Sequence, residues 1–376
     1  MPRILHIADI HLDSPFSLFD AKKAQVRRNE LRGTFTSVMM YAKMRETDIV
    51  IIAGDLFDSD FVTKETMNLI VSQFEENPSC RFVITPGNHD PATSQGPYLK
   101  TKFPDNVYIF KNENIERISF DDIGVDVYGF AYTSEKYEEN PLERPIIPDE
   151  NKINIFVAHT DISGNKSTYC PLSERDIAKC GCDYAALGHI HAGSEIKKSG
   201  NTKFAYSGCP EGRSFDECGI KGGIFITAEN DGGVKKLSFE RPRFCKRRYE
   251  KAEIDVSGLL THEDMCSEIK KRITEKGYGK DTLLRVKLTG IVSPEARFST
   301  EKTDSSELGL FYVEVSDNTL PLLDFEELKN DISIKGALFR ELLPKLKSED
   351  EHERKIASMA LKYGLSALTG SEIIDF

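Results

Sequence analysis

A chain of 376 residues with 39% hydrophobic and 30% charged residues has the balance of a globular protein and the length for two or three domains rather than one core. Its formal net charge of −11 excludes a protein that coats nucleic acid by bulk electrostatics, which needs broad positive surface, so any such contact is local. The chain opens directly into a strand-like run and no stretch approaches the length of a bilayer span, so a soluble, cytoplasmic protein with no membrane contact is expected.

Residues 1–240 alternate apolar β-type runs with helical patterns, which predicts an α/β layer fold. The strand runs are 3–8, 48–53, 81–85, 153–158 and 184–187. Between the first two, Val26, Leu31, Phe35, Val38, Met39 and Ala42 fall near helical spacing, and between the next two so do Met67, Ile70, Val71 and Phe74. A shorter helix begins at Ser173, with Asp176 placed for a capping box, and stops at Gly181. Eight cysteines, Cys80, Cys170, Cys180, Cys182, Cys209, Cys218, Cys245 and Cys266, show no C-x-x-C spacing and are expected to be reduced thiols.

Near Pro242 the texture changes to a basic stretch, Arg241, Arg243, Lys246, Arg247 and Arg248. A strand follows, then a helix over 261–275 with Met265, Ile269 and Ile273 on one stripe, then strands over 282–292 and 310–316. From Asp324 the pattern is helical, with Pro344 interrupting one helix and a last helix presenting Ile356, Met359, Ala360, Tyr363 and Ala367. The predicted organisation is a core domain over 1–245, a small α+β cap over 246–318 and a helical tail over 319–376.

Five polar motifs begin where β-runs end. They are Asp9-Ile10-His11, Gly54-Asp55-Leu56-Phe57-Asp58, Gly87-Asn88-His89-Asp90, Ala158-His159-Thr160 and Gly188-His189-Ile190-His191, and they hold five of the eight histidines. Loops at the carboxyl ends of strands in an open α/β sheet converge on one site. A pair of divalent cations needs a bridging carboxylate, several neutral nitrogen or oxygen donors, and open positions for a hydroxide and a phosphate. Asp, His and Asn without thiolate supply that set, which suits manganese, iron or zinc better than a structural zinc or a calcium cage. Gly54, Gly87 and Gly188 are expected to let the backbone turn sharply and present the side chains inward.

The series D-x-H, G-D-x-x-D, G-N-H-D, H and G-H-x-H resembles that of the calcineurin-like metallophosphoesterase superfamily. The stretches from His6 to Phe16 and from Tyr206 to Arg213 resemble its DNA-repair exonuclease branch, the SbcD-like proteins and most nearly the YhaO type. That resemblance covers the core domain strongly and the cap in outline. It implies a layered sandwich of mixed β-sheets flanked by helices, holding two divalent ions, manganese before iron or zinc. By position, Asp9, His11 and His191 resemble the ligands of a first metal, Asn88, His159 and His189 those of a second, and Asp55 the bridge. His89 resembles the catalytic histidine and Asp58 the carboxylate that orients it. The implied activity is in-line hydrolysis of a phosphodiester in a DNA strand or end, by a homodimer with an ATPase partner of the SbcC or YhaN type. Two other classes stand beside it: a phosphodiesterase or phosphatase for a small nucleotide or other phosphoester, and a binding module that uses the fold as a platform.

Several residues carry two readings. His6 lies within a strand and reads as a core residue, and Asp90 reads as a turn cap. Arg213 either forks onto a phosphate or pairs with an acid such as Glu217. Arg243, Arg247 and Arg248 either hold DNA phosphates or belong to a solvated linker. The apolar stripe of the last helix most simply packs against the chain's own body, with a partner helix as the alternative occupant.

Overall fold

The computed structural model describes residues 1–162, 167–293, 295–322 and 325–368. The chain divides between Arg248 and Tyr249 into two compact units. The first contains, in order, β1 (Arg3–Ile7), α1 (Ala21–Met44), β2 (Ile49–Ala53), α2 (Lys64–Glu75), β3 (Arg81–Thr85), α3 (Pro97–Lys100) and β4 (Val107–Ile109). It continues through β5 (Glu116–Phe120), β6 (Val125–Gly129), β7 (Ile153–His159), α4 (Glu174–Lys179) and β8 (Tyr184–Gly188). Its last strands are β9 (Lys197–Ser199), β10 (Thr202–Tyr206), β11 (Ile224–Asp231) and β12 (Val234–Glu240).

Among the described residues these strands form two sheets, in the orders β12-β11-β1-β2-β3-β4 and β5-β6-β7-β8-β10-β9. The strands β1 to β4 run parallel, as do β6, β7, β8 and β10, while β11, β12, β5 and β9 pair antiparallel. The sequence of β2, Ile-Val-Ile-Ile-Ala, is buried throughout. Ile49, Ile51 and Ala53 face a core shared with Val125, Val127, Ile155 and Val157 of the other sheet. Val50 and Ile52 face Phe35, Val38, Met39, Ile70 and Phe74 of α1 and α2. A parallel strand covered on both faces reads as an unbroken apolar run, and its crossover helices provide the outer layer. Phe130, Phe156, Ile177 and Leu187 close the far side of the second sheet. The unit is therefore an α/β sandwich of two mixed sheets.

The predicted helices form with small corrections. Asp20 caps α1 by accepting from the Lys23 amide, and Leu31, Phe35, Val38, Met39 and Ala42 are buried. Val26 is exposed, because the inward position at that turn belongs to Arg27. The capping box of Ser173 and Asp176 starts α4, and Gly181 follows it in the left-handed region with φ of 71°.

The second unit contains β13 (Arg248–Asp255), α5 (His262–Lys276), β14 (Thr282–Thr289), β15 (Ile291–Val292), β16 (Tyr312–Asp317), β17 (Leu320–Pro321), α6 (Phe325–Asn330), α7 (Ile334–Leu346) and α8 (Glu351–Leu368). Met265, Ile269 and Ile273 of α5 pack on Leu284, Val286 and Leu288 of β14. The run predicted as one strand over 282–292 is broken at Gly290, whose φ is 103°. Pro344 lies inside α7 without ending it. On α8 the buried seam is Ala357 and Leu361, while Ile356 is 54% and Met359 44% exposed. The stripe expected to pack on the chain's own body is thus not the packed face. Small residues decide this: a Cβ on Gly364 would lie 2.3 Å from Leu338 Cδ2 of α7, so the two helices meet where side chains are shortest. Among the described residues no helix is long and apolar enough to cross a membrane.

One buried ion pair ties the first unit together. Arg27 of α1 donates through Nη2 to Glu211 Oε1 at 2.7 Å and to the Gly212 carbonyl at 2.9 Å. Glu211 also accepts from Thr34 Oγ1 at 3.0 Å and from the amides of Lys246 at 2.6 Å and Arg247 at 3.2 Å. Removing one partner of a buried pair costs about 3–5 kcal/mol; here Glu30, 2.6 Å from Arg27 Nη1, offsets part of the loss for Arg27, while Thr34 and two amides lose their acceptor as well. Glu211→Ala is therefore expected to destabilise the first unit by that order, measured as a drop in its calorimetric unfolding transition. A change under about 1 kcal/mol, the level of a solvent-exposed pair, would show that Arg27 finds water or another acceptor.

Candidate metal centre

The five motif loops leave the carboxyl ends of β1, β2 and β3 in one sheet and of β7 and β8 in the other. The first two are zipped together: the amides of Asp9, His11 and Leu12 donate to the carbonyls of Gly54, Asp55 and Leu56 at 3.1, 2.9 and 2.9 Å. Of the three motif glycines, only Gly54 takes a left-handed φ, of 94°. Gly87 and Gly188 serve close approach instead, since a Cβ there would lie 2.2 Å from Asp55 Oδ1 and 1.8 Å from the Ala53 carbonyl oxygen. Four ligand candidates hold left-handed backbone, Asp9, His11, Asp55 and His189, with φ of 54°, 49°, 51° and 94°. Each such residue costs about 1–3 kcal/mol and persists where its surroundings over-determine it, as they commonly do at functional sites.

The side chains gather into two groups. Ligand atoms of Asp9, His11 and His191 lie within 4.8 Å of one another, with His11 Nε2 3.2 Å from His191 Nε2. Asn88 Oδ1 lies 2.9 Å from His159 Nε2 and 3.3 Å from His189 Nδ1. Asp55 stands between the groups, its Oδ2 3.5 Å from His11 Nε2 and 3.3 Å from His159 Nε2. The Asp9 carboxylate reaches from the first strand to the eighth by accepting from the His189 amide at 2.9 Å.

Protons leave part of this arrangement unsatisfied. His159 Nδ1 is 3.1 Å from the Ala53 carbonyl, which only accepts, so Nε2 is the atom turned to the oxygens of Asn88 and Asp55, a donor while the ring is protonated and a lone pair once that proton is lost. His191 Nδ1 is likewise 2.7 Å from Glu217 Oε1, which leaves its Nε2 lone pair facing His11. Asp9 Oδ2 is buried with no hydrogen-bond partner. Burial holds His11 and His189 down at about 4, so both rings are neutral donors. Burial also opposes charge on His159, but Asp55 and Asp9 outweigh it and lift its pKa to about 9. Burial opposes ionisation of Asp55 too, yet His159 and His11 drag it far below the carboxylate range. Imidazole nitrogens with amide and carboxylate oxygens, converging around an ionised buried carboxylate, fit divalent cations coordinated by nitrogen and oxygen.

Comparison with known proteins agrees. Residues 2–193 match the family described as calcineurin-like phosphoesterase. The chain belongs to that family. It is 31% identical over 309 residues to the uncharacterized metallophosphoesterase YhaO of Bacillus subtilis, covering 77% of this chain and 72% of YhaO. It is 24% identical over 301 residues to the DNA double-strand break repair protein Mre11 of Methanopyrus kandleri, covering 74% of this chain and 65% of that one. Among solved structures, the purple acid phosphatase PPD1 of yellow lupin matches at a TM-score of 0.34 and 11% identity, over 64% of this chain and 51% of that one. The phosphoesterase is thus a hydrolase of the metal-dependent class, and the two side-chain groups hold the candidate ligands of the family's dinuclear site.

His89 and Asp58 lie together at the rim, but not through the expected carboxylate. His89 Nδ1 contacts the Asp58 carbonyl oxygen at 3.2 Å, whereas the Asp58 carboxylate is 2.8 Å from Arg213 Nη1 and 3.2 Å from His11 Nδ1. Arg213 also reaches Glu217 Oε1 at 3.0 Å, so the ion-pair reading describes it. Arg247 is drawn into an ion pair with Glu30. Arg243 is exposed with its backbone bridged to Gly222, and Arg248 opens β13. Two acids have larger parts than their sequence context suggests. Asp90 accepts from the amides of Gly87 and Phe57 at 2.8 and 3.0 Å and from Tyr98 Oη at 2.6 Å, locking the second and third motif loops together. Burial, with Asp55 nearby, raises its pKa to about 7. Glu217 anchors His191, and only its spacing from Arg213 hints at it.

Metal content separates these roles. Asp55→Asn is expected to lose both ions, Asn88→Ala one, and His89→Gln neither, counted as manganese per chain after gel filtration. If His89→Gln sheds metal as Asn88→Ala does, His89 is itself a ligand.

Proposed function

We propose that this phosphoesterase is a two-metal phosphodiester hydrolase that cuts DNA, working with an ATPase of the SbcC or YhaN type. The observation that carries the hydrolytic part is the convergence of Asp9, His11, His191, Asn88, His159 and His189 about the buried Asp55. The similarity to a DNA double-strand break repair protein over 74% of this chain supports the DNA substrate. The exposed Ile356 and Met359 of α8 support a face for a partner helix. A homodimer and manganese as the working metal belong to the same proposal.

Two divalent cations, when bound, would supply positive charge that stabilises a phosphoryl group under attack. Asp9, His11 and His191 would hold one and Asn88, His159 and His189 the other, with Asp55 shared. His89 does the proton work. Its Nδ1–H is committed to the Asp58 carbonyl, so Nε2 is the atom left to deliver a proton to the leaving oxygen. General acid catalysis contributes about 10²–10⁴-fold, and His89→Gln is expected to lower turnover by that factor with metal retained.

Chelation is expected to abolish hydrolysis of bis-p-nitrophenyl phosphate and of DNA ends, with manganese restoring both. Full restoration by magnesium alone would count against the imidazole-rich ligand set. Cleavage of the small diester with DNA left intact, both alone and with the ATPase, would transfer the assignment to a small phosphoester. For the partner, Ile356→Asp combined with Met359→Asp is expected to abolish capture of the ATPase without changing small-diester hydrolysis. Capture that survives the double change places the contact elsewhere.

A further inference from the structure

Arg213 sits where two carboxylates meet, with its side chain only 15% exposed. Its Nη1 donates to Asp58 Oδ1 at 2.8 Å and its Nη2 to Glu217 Oε1 at 3.0 Å. Each carboxylate oxygen touches an imidazole as well: Asp58 Oδ1 is 3.2 Å from His11 Nδ1, and Glu217 Oε1 is 2.7 Å from His191 Nδ1. Glu217 Oε2 is occupied by the Arg213 amide at 2.6 Å. An ionised carboxylate only accepts, so His191 carries its proton on Nδ1 and turns its Nε2 lone pair away from the clasp, while His11 Nδ1 lies beside the Asp58 carboxylate without a hydrogen bond to it. Those two Nε2 atoms are 3.2 Å apart. The 3.2 Å approach of Arg213 Nη2 to His191 Nδ1 is then two donors sharing the same Glu217 oxygen.

We infer that Arg213 is a positioning residue for one cation only: through Glu217 it sets the tautomer and ring angle of His191, through Asp58 it fixes the carboxylate that lies beside His11, and it makes no contact with the substrate phosphate. The planar guanidinium fork spans two carboxylates at once, which a lysine ammonium does not. It also places a positive charge between two acids that would otherwise repel each other. The other ligand group is held by different means, His159 by the Ala53 carbonyl and His189 by its amide on Asp9. Loss of the clasp therefore acts selectively. This inference rests on reading Asp9, His11 and His191 as the ligands of a single ion.

The test is calorimetric titration of the full-length, metal-free protein with manganese alone, for wild type, Arg213→Lys, Arg213→Ala and Glu217→Gln. Outer partners of metal-binding histidines are worth about 10–100-fold in metal affinity. Wild type is expected to bind two ions, and each variant to weaken one of them by that factor and leave the other unchanged. Glu217→Gln preserves shape, so it decides the matter if Arg213→Ala proves unstable on melting. At saturating manganese the KM for bis-p-nitrophenyl phosphate is expected to match wild type. Equal weakening of both ions, or unaltered binding with a raised KM, overturns the inference, the latter by making Arg213 a phosphate contact. Failure of wild type to take up two ions sinks the ligand reading itself, and this inference with it.

Discussion

Asp55 is 1% exposed, and its two oxygens organise opposite sides of the centre. Oδ1 accepts from the His89 amide at 3.0 Å, which fixes the rim loop, while Oδ2 lies between His11 and His159. An ionised carboxylate in that position is costly unless positive charge is close by. The protein alone supplies it by keeping a proton on His159 against the effect of burial. Divalent cations meet the same need with more charge and take up the lone pairs of imidazoles that burial keeps neutral. Metal binding and proton release from the ligands are thereby linked.

The rest of the sandwich serves to hold these imidazoles and carboxylates close together. Left to itself, the cluster would spread, and the left-handed backbone of Asp9, His11, Asp55 and His189 would relax. Three things prevent this. The apolar layers on both faces of β2 fix the strand ends. The amide-to-carbonyl zip between the first two loops fixes their register. Asp90, accepting from Gly87, Phe57 and Tyr98, binds the third loop to the second. Gly87 and Gly188 then allow distances that any Cβ would forbid.

The sandwich was legible in the sequence because central parallel strands have no polar face, and the candidate ligands because a two-cation centre needs residue types that core packing does not. His11 and His191 are 180 positions apart, yet both follow strand ends, and that placement is what makes their meeting readable. What stayed hidden depends on side-chain direction or on the backbone. The contact between His89 and Asp58 uses a carbonyl that every residue possesses. Glu211 and Glu217 are acids among 61 in the chain, and nothing local marks them as buried hubs. On α8 the 3.6-residue period identifies which residues share a face, but Ala357 and Gly364 rather than the larger aliphatics let α7 come close.

The arginines shift where a substrate would be gripped. Arg213 and Arg247, for which the sequence left a phosphate contact as one of two readings, are engaged by Asp58, Glu217 and Glu30 inside the fold. Drawing either out to a phosphate means breaking a largely buried pair, a step on the order of 3–5 kcal/mol for the group left behind. A surface phosphate contact returns less than that in physiological salt, where exposed charges are screened beyond about 8 Å. With a net charge of −11 over the chain, long-range attraction of a polyanion is absent as well. Affinity for a phosphoester would then fall mainly to the cations that the candidate ligands would hold. Arg213 would then act on substrate indirectly, through the Asp58 and Glu217 carboxylates it pairs with.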